Sequence, residues 1–283
     1  MVTEAGHRFS EQETEEYYDA EDVIYRSVWD ADGSVHWGVF DGNVNGDTIR
    51  EQFLAAGIRL NELMVEYASI GENSKVLDVG CGNGNAAIWL SRNSGAHVTG
   101  VDLSGVRVAN AVESLQNVPE LAGKLAFEKA SATELPFDEG TFTHFWSQAT
   151  VYHVPDKVKV LEEAYRVLEP GGMMIFDDLI KPRTNISESA RKFVYERLLF
   201  DTDFSFYSYM EALRDTGFKV LQARDLSSHL AQSYTYLSQL ASIAVGPEGY
   251  QDRFDYLADA YMKTVEAINN DELGWAQYLC VKP

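Results

Sequence analysis

Three glycines in five positions separate a strand-like run from a helical one in Lys75–Leu90, KVLDVGCGNGNAAIWL. Gly80, Gly82 and Gly84 let the backbone approach a ligand with no Cβ in the way. The spacing is G-x-G-x-G, whereas a pyrophosphate fingerprint needs glycine at 85, where Asn85 stands. Asp78, in the same stretch, would repel phosphates and suits an ammonium group. Asp102 closes the next apolar run, HVTGVD, where a carboxylate can accept both hydroxyls of a ribose. The expected ligand has a ribose, an amino-acid-like cationic end and no phosphates; S-adenosylmethionine has all three features.

Such residues need a sheet to carry them. From Lys75 onward, short aliphatic or β-branched runs alternate with helical stretches: KVLDVG, HVTGVD, LAFEKA, FTHFWS, MMIFDD, FKVLQARD and WAQYLCVK. Strands separated by helices predict an α/β fold with a mostly parallel seven-stranded sheet and right-handed crossovers. The last run follows the turn signal NNDELG and can re-enter antiparallel. A helix is expected from Thr48 to Ser69. Residues 1–70 are expected to form a helical lid segment and 71–283 the main domain, with cap insertions near 180–216 and 227–270.

The 283 residues are 45% hydrophobic and 12% aromatic, enough for a sizeable core. Forty-four acidic against 23 basic residues give a net charge of −21, which repels nucleic acid and anionic lipid. No run approaches the ~18 apolar residues of a membrane helix, and the N-terminal stretch is acidic and polar, unlike a secretory signal. A cytoplasmic enzyme without nucleic-acid or membrane partners is expected. Cys81 and Cys280 belong to no ligand-like cluster, so neither a metal site nor a disulfide is expected.

VLDVGCGNG, VTGVDLS, ATELPFDEGTFTHFWSQ and EEAYRVLEPGGMMIFDD, in this order, resemble the successive motifs of class I S-adenosylmethionine-dependent methyltransferases. YYDAEDVIYRSVWDADGSVHWGVFDG and the closing LGWAQYLCVKP resemble more loosely the small-molecule branch that contains sarcosine/dimethylglycine, tocopherol and isoprenoid-type enzymes. The resemblance implies a Rossmann-like sheet with helices on both faces. It places the methionine part on Asp78 and the turn Gly80, Cys81, Gly82 and Gly84, the ribose on Asp102, and the adenine beside Leu103. The family often has a carboxylate after strand three; here Ser131 and Ala132 stand there. Ser147 and Gln148 match positions lining cofactor and substrate.

Transfer from a sulfonium is an in-line displacement in which the protein mainly positions the acceptor. His153, just after strand four, sits where an acid/base or substrate-contacting group belongs; the alternative is that it only ties its loop. Tyr152 is placed beside it. Rings of Tyr18, Trp29, Trp37, Phe206 and Tyr207 are expected around the acceptor, where they would stabilise a quaternary ammonium or surround an apolar substrate; some must be core. Arg183 or Arg191 is the expected partner for an acceptor carboxylate. The expected function is N-methylation of a small amine such as sarcosine or dimethylglycine, releasing S-adenosylhomocysteine. The alternatives are C- or O-methylation of an isoprenoid or other natural product, and a binding module without transfer.

Overall fold

The computed structural model describes residues 9–17, 28–29, 36–200, 204–245 and 249–283. All seven expected runs are strands: β1 (Lys75–Val79), β2 (His97–Asp102), β3 (Leu125–Lys129), β4 (Phe142–Gln148), β5 (Leu168–Ile180), β6 (Lys219–Asp225) and β7 (Gly274–Val281). They form one sheet in the order β3-β2-β1-β4-β5-β7-β6. The first five pair in parallel, and β7 runs antiparallel between β5 and β6. The order reverses at β1, so the carboxyl ends of β1, β2 and β4 open on one crevice, the place where such sheets bind ligands.

A short helix, α1, covers residues 11–17. α2 (Ile49–Ala68) starts on a capping box, with Thr48 Oγ1 accepting from the Glu51 amide at 3.2 Å and Glu51 accepting from the Thr48 amide at 2.9 Å. α3 (Asn85–Ser94) follows β1, α4 (Gly105–Ser114) follows β2 and α5 (Lys157–Val167) follows β4. A short α6 (Glu188–Ala190) runs into a π-helical turn, Arg191–Glu196, before α7 (Phe206–Thr216). α8 (Ser227–Ser242) and α9 (Gln251–Asn269) form a hairpin between β6 and β7.

Strand alternation divides the core. One face carries Val76, Trp146, Ile175 and Leu179 against α2, α3, α8 and α9; the other carries Leu77, Phe145, Phe176 and Tyr278 against α5 and α7. α7 therefore covers the sheet and does not cap the site. Trp29 and Trp37 are buried in the first core, with Trp29 Nε1 donating to the Tyr261 hydroxyl at 2.9 Å and Trp37 packed on Trp275 at 5.8 Å between ring centres. Trp29 and Trp37 are thus part of the domain's core. Among the described residues no helix is long and apolar enough to cross a membrane.

Candidate active site

The glycine turn is tied to the neighbouring strand, because the Gly80 and Cys81 amides both donate to the Val101 carbonyl, at 2.8 and 3.0 Å. Gly80 has φ 78°, and a Cβ there would run into Thr150. That contact seats the turn against the loop after β4, which no local spacing could signal. Gly84 has a different role, capping α3 with φ 83°, and a Cβ on it would lie 2.8 Å from the Phe127 ring. The side of Gly84 where a Cβ would stand therefore faces Phe127, and the residue is not part of the cavity wall.

The cavity beside this turn is lined by Asp78, Gly80, Cys81 and Gly82 from β1 and its turn, and by Asp102 and Leu103 from the end of β2. Ala132, Gln148 and His153 complete the expected residues that reach it. Asp78 is the last but one residue of β1, only 2% exposed, and its Oδ2 has no hydrogen-bond partner. Burial, and then the nearby Asp102 charge, push its pKa up to about 7. Asp102 is held by two backbone amides, Gly82 donating to Oδ2 and Ser104 to Oδ1, both at 2.9 Å.

His153 is buried, and desolvation, followed by the charge of Lys157, pushes its pKa down to about 3. An imidazole shifted this far is neutral at pH 7. Tyr152 lies under it at 3.9 Å between ring centres, packed also against Trp37 and Phe200, and does not line the cavity. Ser147 is fully buried and donates to the Val79 carbonyl at 2.8 Å, fastening β4 to β1. Ser131 Oγ donates to Glu11 at 2.7 Å, and its neighbours Ala130 and Ala132 face the cavity.

The rings expected around an acceptor are elsewhere. Trp29 and Trp37 are core, Phe206 packs on Tyr278 at 5.8 Å, and Tyr207 is 72% exposed; Tyr18 lies outside the described residues. The first turn of α7 faces the second core, so no spacing on that helix could bring its rings to the crevice. Arg183 pairs with Glu272 and Arg191 with Glu188 at exposed positions away from the cavity. The buried arginine that does line the cavity is Arg107, whose Nη1 is 3.1 Å from where a Cβ on Gly82 would sit. A charged residue on the inner side of α4 between Val106 and Val108 was the available signal. α1 adds Glu11, Thr14 and Glu15 to the wall, and Glu15 pairs with Lys129 at 2.7 Å.

A second groove adjoins this cavity through His36, Asn85 and Ala86. It runs between α2 and α3 and is mainly apolar, with Phe53, Leu54, Ile58, Ile88 and Trp89 in its walls. Gln148 links the two spaces: its Nε2 donates to Asn61 Oδ1 at 2.9 Å, while its buried Oε1 has no partner. Among the described residues no group of three or more His, Cys, Asp or Glu could hold a metal ion.

Residues 77–176 match the family model described as a methyltransferase domain. The chain is 30% identical to the glycine/sarcosine/dimethylglycine N-methyltransferase of Actinopolyspora halophila over 92% of its own length, and spans 45% of that longer protein. It is 27% identical to the (+)-O-methylkolavelool synthase of Herpetosiphon aurantiacus, covering 79% of this chain and 76% of the relative. A crystal structure of a Galdieria sulphuraria protein assigned to the sarcosine dimethylglycine methyltransferases superposes with a TM-score of 0.78 at 26% identity, covering 93% of this chain and 98% of the other.

Proposed function

We propose that this chain, an S-adenosylmethionine-dependent methyltransferase by its matched domain and its similarity to such enzymes, methylates a small molecule, with a small amine such as sarcosine or dimethylglycine as the leading acceptor. The observation that carries the cofactor side is Asp78, a carboxylate buried at the cavity wall with Oδ2 lacking a partner and its pKa raised to about 7. Such a group is costly alone and stabilised by a cation, so it fits the α-ammonium of the methionine part. Bound there, S-adenosylmethionine supplies a methyl already activated on sulfur.

The remaining work falls to the chain's own side chains. Asp102, fixed by two amides, offers its carboxylate oxygens to the ribose hydroxyls. The Gly80–Gly82 backbone keeps side chains out of the way. Gln148, with Oε1 unmatched, offers an acceptor to a polar hydrogen on the methyl acceptor. His153, neutral and weakly basic, is suited to orienting the acceptor by one hydrogen bond, not to storing its proton at pH 7. An amine must therefore enter the site unprotonated, and turnover should rise with pH toward the amine's own pKa. In this reading α1, through Glu11, Thr14 and Glu15, acts as the lid within residues 1–70, while Trp29, Trp37 and α2 pack into the catalytic domain built on 71–283.

The amine reading is supported by the relatives acting on sarcosine and dimethylglycine, one of them similar along 92% of this chain. A second reading, C- or O-methylation of an apolar natural product, is favoured by the apolar groove between α2 and α3 that adjoins the cavity. A panel of amines, phenols, terpenoids and macrolide alcohols, followed by S-adenosylhomocysteine release, separates them: turnover only with amines supports the first reading, turnover only with an apolar acceptor replaces it with the second.

A further inference from the structure

We propose that Glu11 of α1 reads the adenine ring, supplying from the lid a carboxylate that the loop after β3 lacks. The inference rests on the cofactor reading above. Neighbouring strands lie about 4.8 Å apart, so a ligand with its ammonium at Asp78 on β1 and its ribose at Asp102 on β2 carries its base toward the end of β3. The wall there consists of Leu103, Ala130 and Ala132. These side chains flank a flat ring but cannot accept from its exocyclic amine, and an amine buried without an acceptor would weaken binding.

Ser131 turns away from the cavity and donates to Glu11 Oε1 at 2.7 Å, and Thr133 reaches the same oxygen at 3.4 Å. Glu11 itself lines the cavity. Both hydrogen bonds fall on Oε1, which leaves Oε2 to take a further donor. Glu15, one turn along, is already engaged by Lys129, so Glu11 is the better placed of the two acids. Ser131 thus does for recognition what a carboxylate at its own position would do, by holding one that comes from 120 residues away in sequence. Adenine recognition and docking of α1 become the same event.

The test compares S-adenosylhomocysteine with S-inosylhomocysteine, in which a carbonyl replaces the amine, by titration calorimetry on the full-length protein. The wild type should prefer the adenosyl ligand by about tenfold or more, the span of a hydrogen bond to a charged group. Glu11→Gln, which keeps its bond from Ser131 and can donate to the inosyl carbonyl, should bring the two affinities within about threefold of each other, the donor and acceptor roles being exchanged. Glu11→Ala should likewise lose the preference. If both variants weaken the two ligands equally and keep the wild-type ratio, Glu11 only anchors α1 and the inference is wrong. If the wild type binds neither ligand, the cofactor reading itself fails.

Discussion

The two halves of the crevice are built by different means. On the cofactor side, Asp78, the glycine turn and Asp102 come from two adjacent strands and lie within 25 residues of one another. Their relative positions follow from a strand–turn–helix–strand unit. On the other side, Gln148 and His153 line the cavity, and the buried layer joined to them, Tyr152, Trp37, Trp275 and Asp177, comes from the loop after β4, an N-terminal segment, β7 and β5. They meet only once the whole sheet and the α8–α9 hairpin are in place. Local spacing carries the first half; long-range packing carries the second.

The sharpest way to separate the halves is to remove a ring that packs without lining the cavity. Trp37 touches Trp29, Tyr152, Tyr234 and Trp275 with ring centres 5.8 to 6.3 Å apart. Trp37→Ala should lower unfolding stability by about 3–5 kcal/mol, the usual cost of deleting a buried aromatic side chain, measured by denaturant titration. A loss under about 1 kcal/mol would mean that Trp37 is not core. Next in size, Asp102→Ala should weaken S-adenosylhomocysteine binding by about 1.5–3 kcal/mol and leave stability nearly unchanged, because the residue braces a turn and not a core.

A buried acid bonded to β7 gives an effect that depends on pH. Asp177 Oδ1 accepts from Trp275 Nε1 at 2.8 Å while Oδ2 has no partner, and burial raises the pKa to about 8. Its folded pKa lies above the unfolded value of about 3.9, so between these limits the folded chain holds the proton more tightly and stability falls as pH rises. Asp177→Asn should therefore gain on the wild type between pH 5 and pH 8, by about 1.4 kcal/mol for each pH unit crossed, read as a difference in melting temperature. An equal difference at both pH values would contradict the burial argument. Smallest of all, Tyr207→Ala, on an exposed ring, should change stability by less than about 0.5 kcal/mol and leave turnover unchanged.

The same contrast explains what was legible before folding. The seven strands stand out as short apolar runs bounded by turn residues, and α2 is marked by Thr48 and Glu51, three positions apart. Asp78 and Asp102 are recognisable because a carboxylate at a strand end has few other uses. Trp29, Trp37 and Phe206 mislead, because an aromatic residue in a sequence does not reveal whether its ring faces a cavity or fills a core. Arg183 and Arg191 mislead in the same way, each being taken up by an acid. Glu11 and Thr150 carry no local signal at all, since each matters through a partner on another element.

The pH dependence of cofactor-product binding tests the central claim, that Asp78 waits for the ammonium. Because its pKa in the ligand-free protein is raised to about 7, binding below that pH must first expel a proton. Wild-type affinity for S-adenosylhomocysteine, followed by calorimetry from pH 7 down to pH 5, should fall about tenfold per unit, with one proton released per ligand at the lower end. Asp78→Asn should bind weakly, show no such slope and melt at a higher temperature without ligand. A wild-type affinity that stays flat over this range, or an Asp78→Asn variant that binds as tightly as the wild type, would contradict the account.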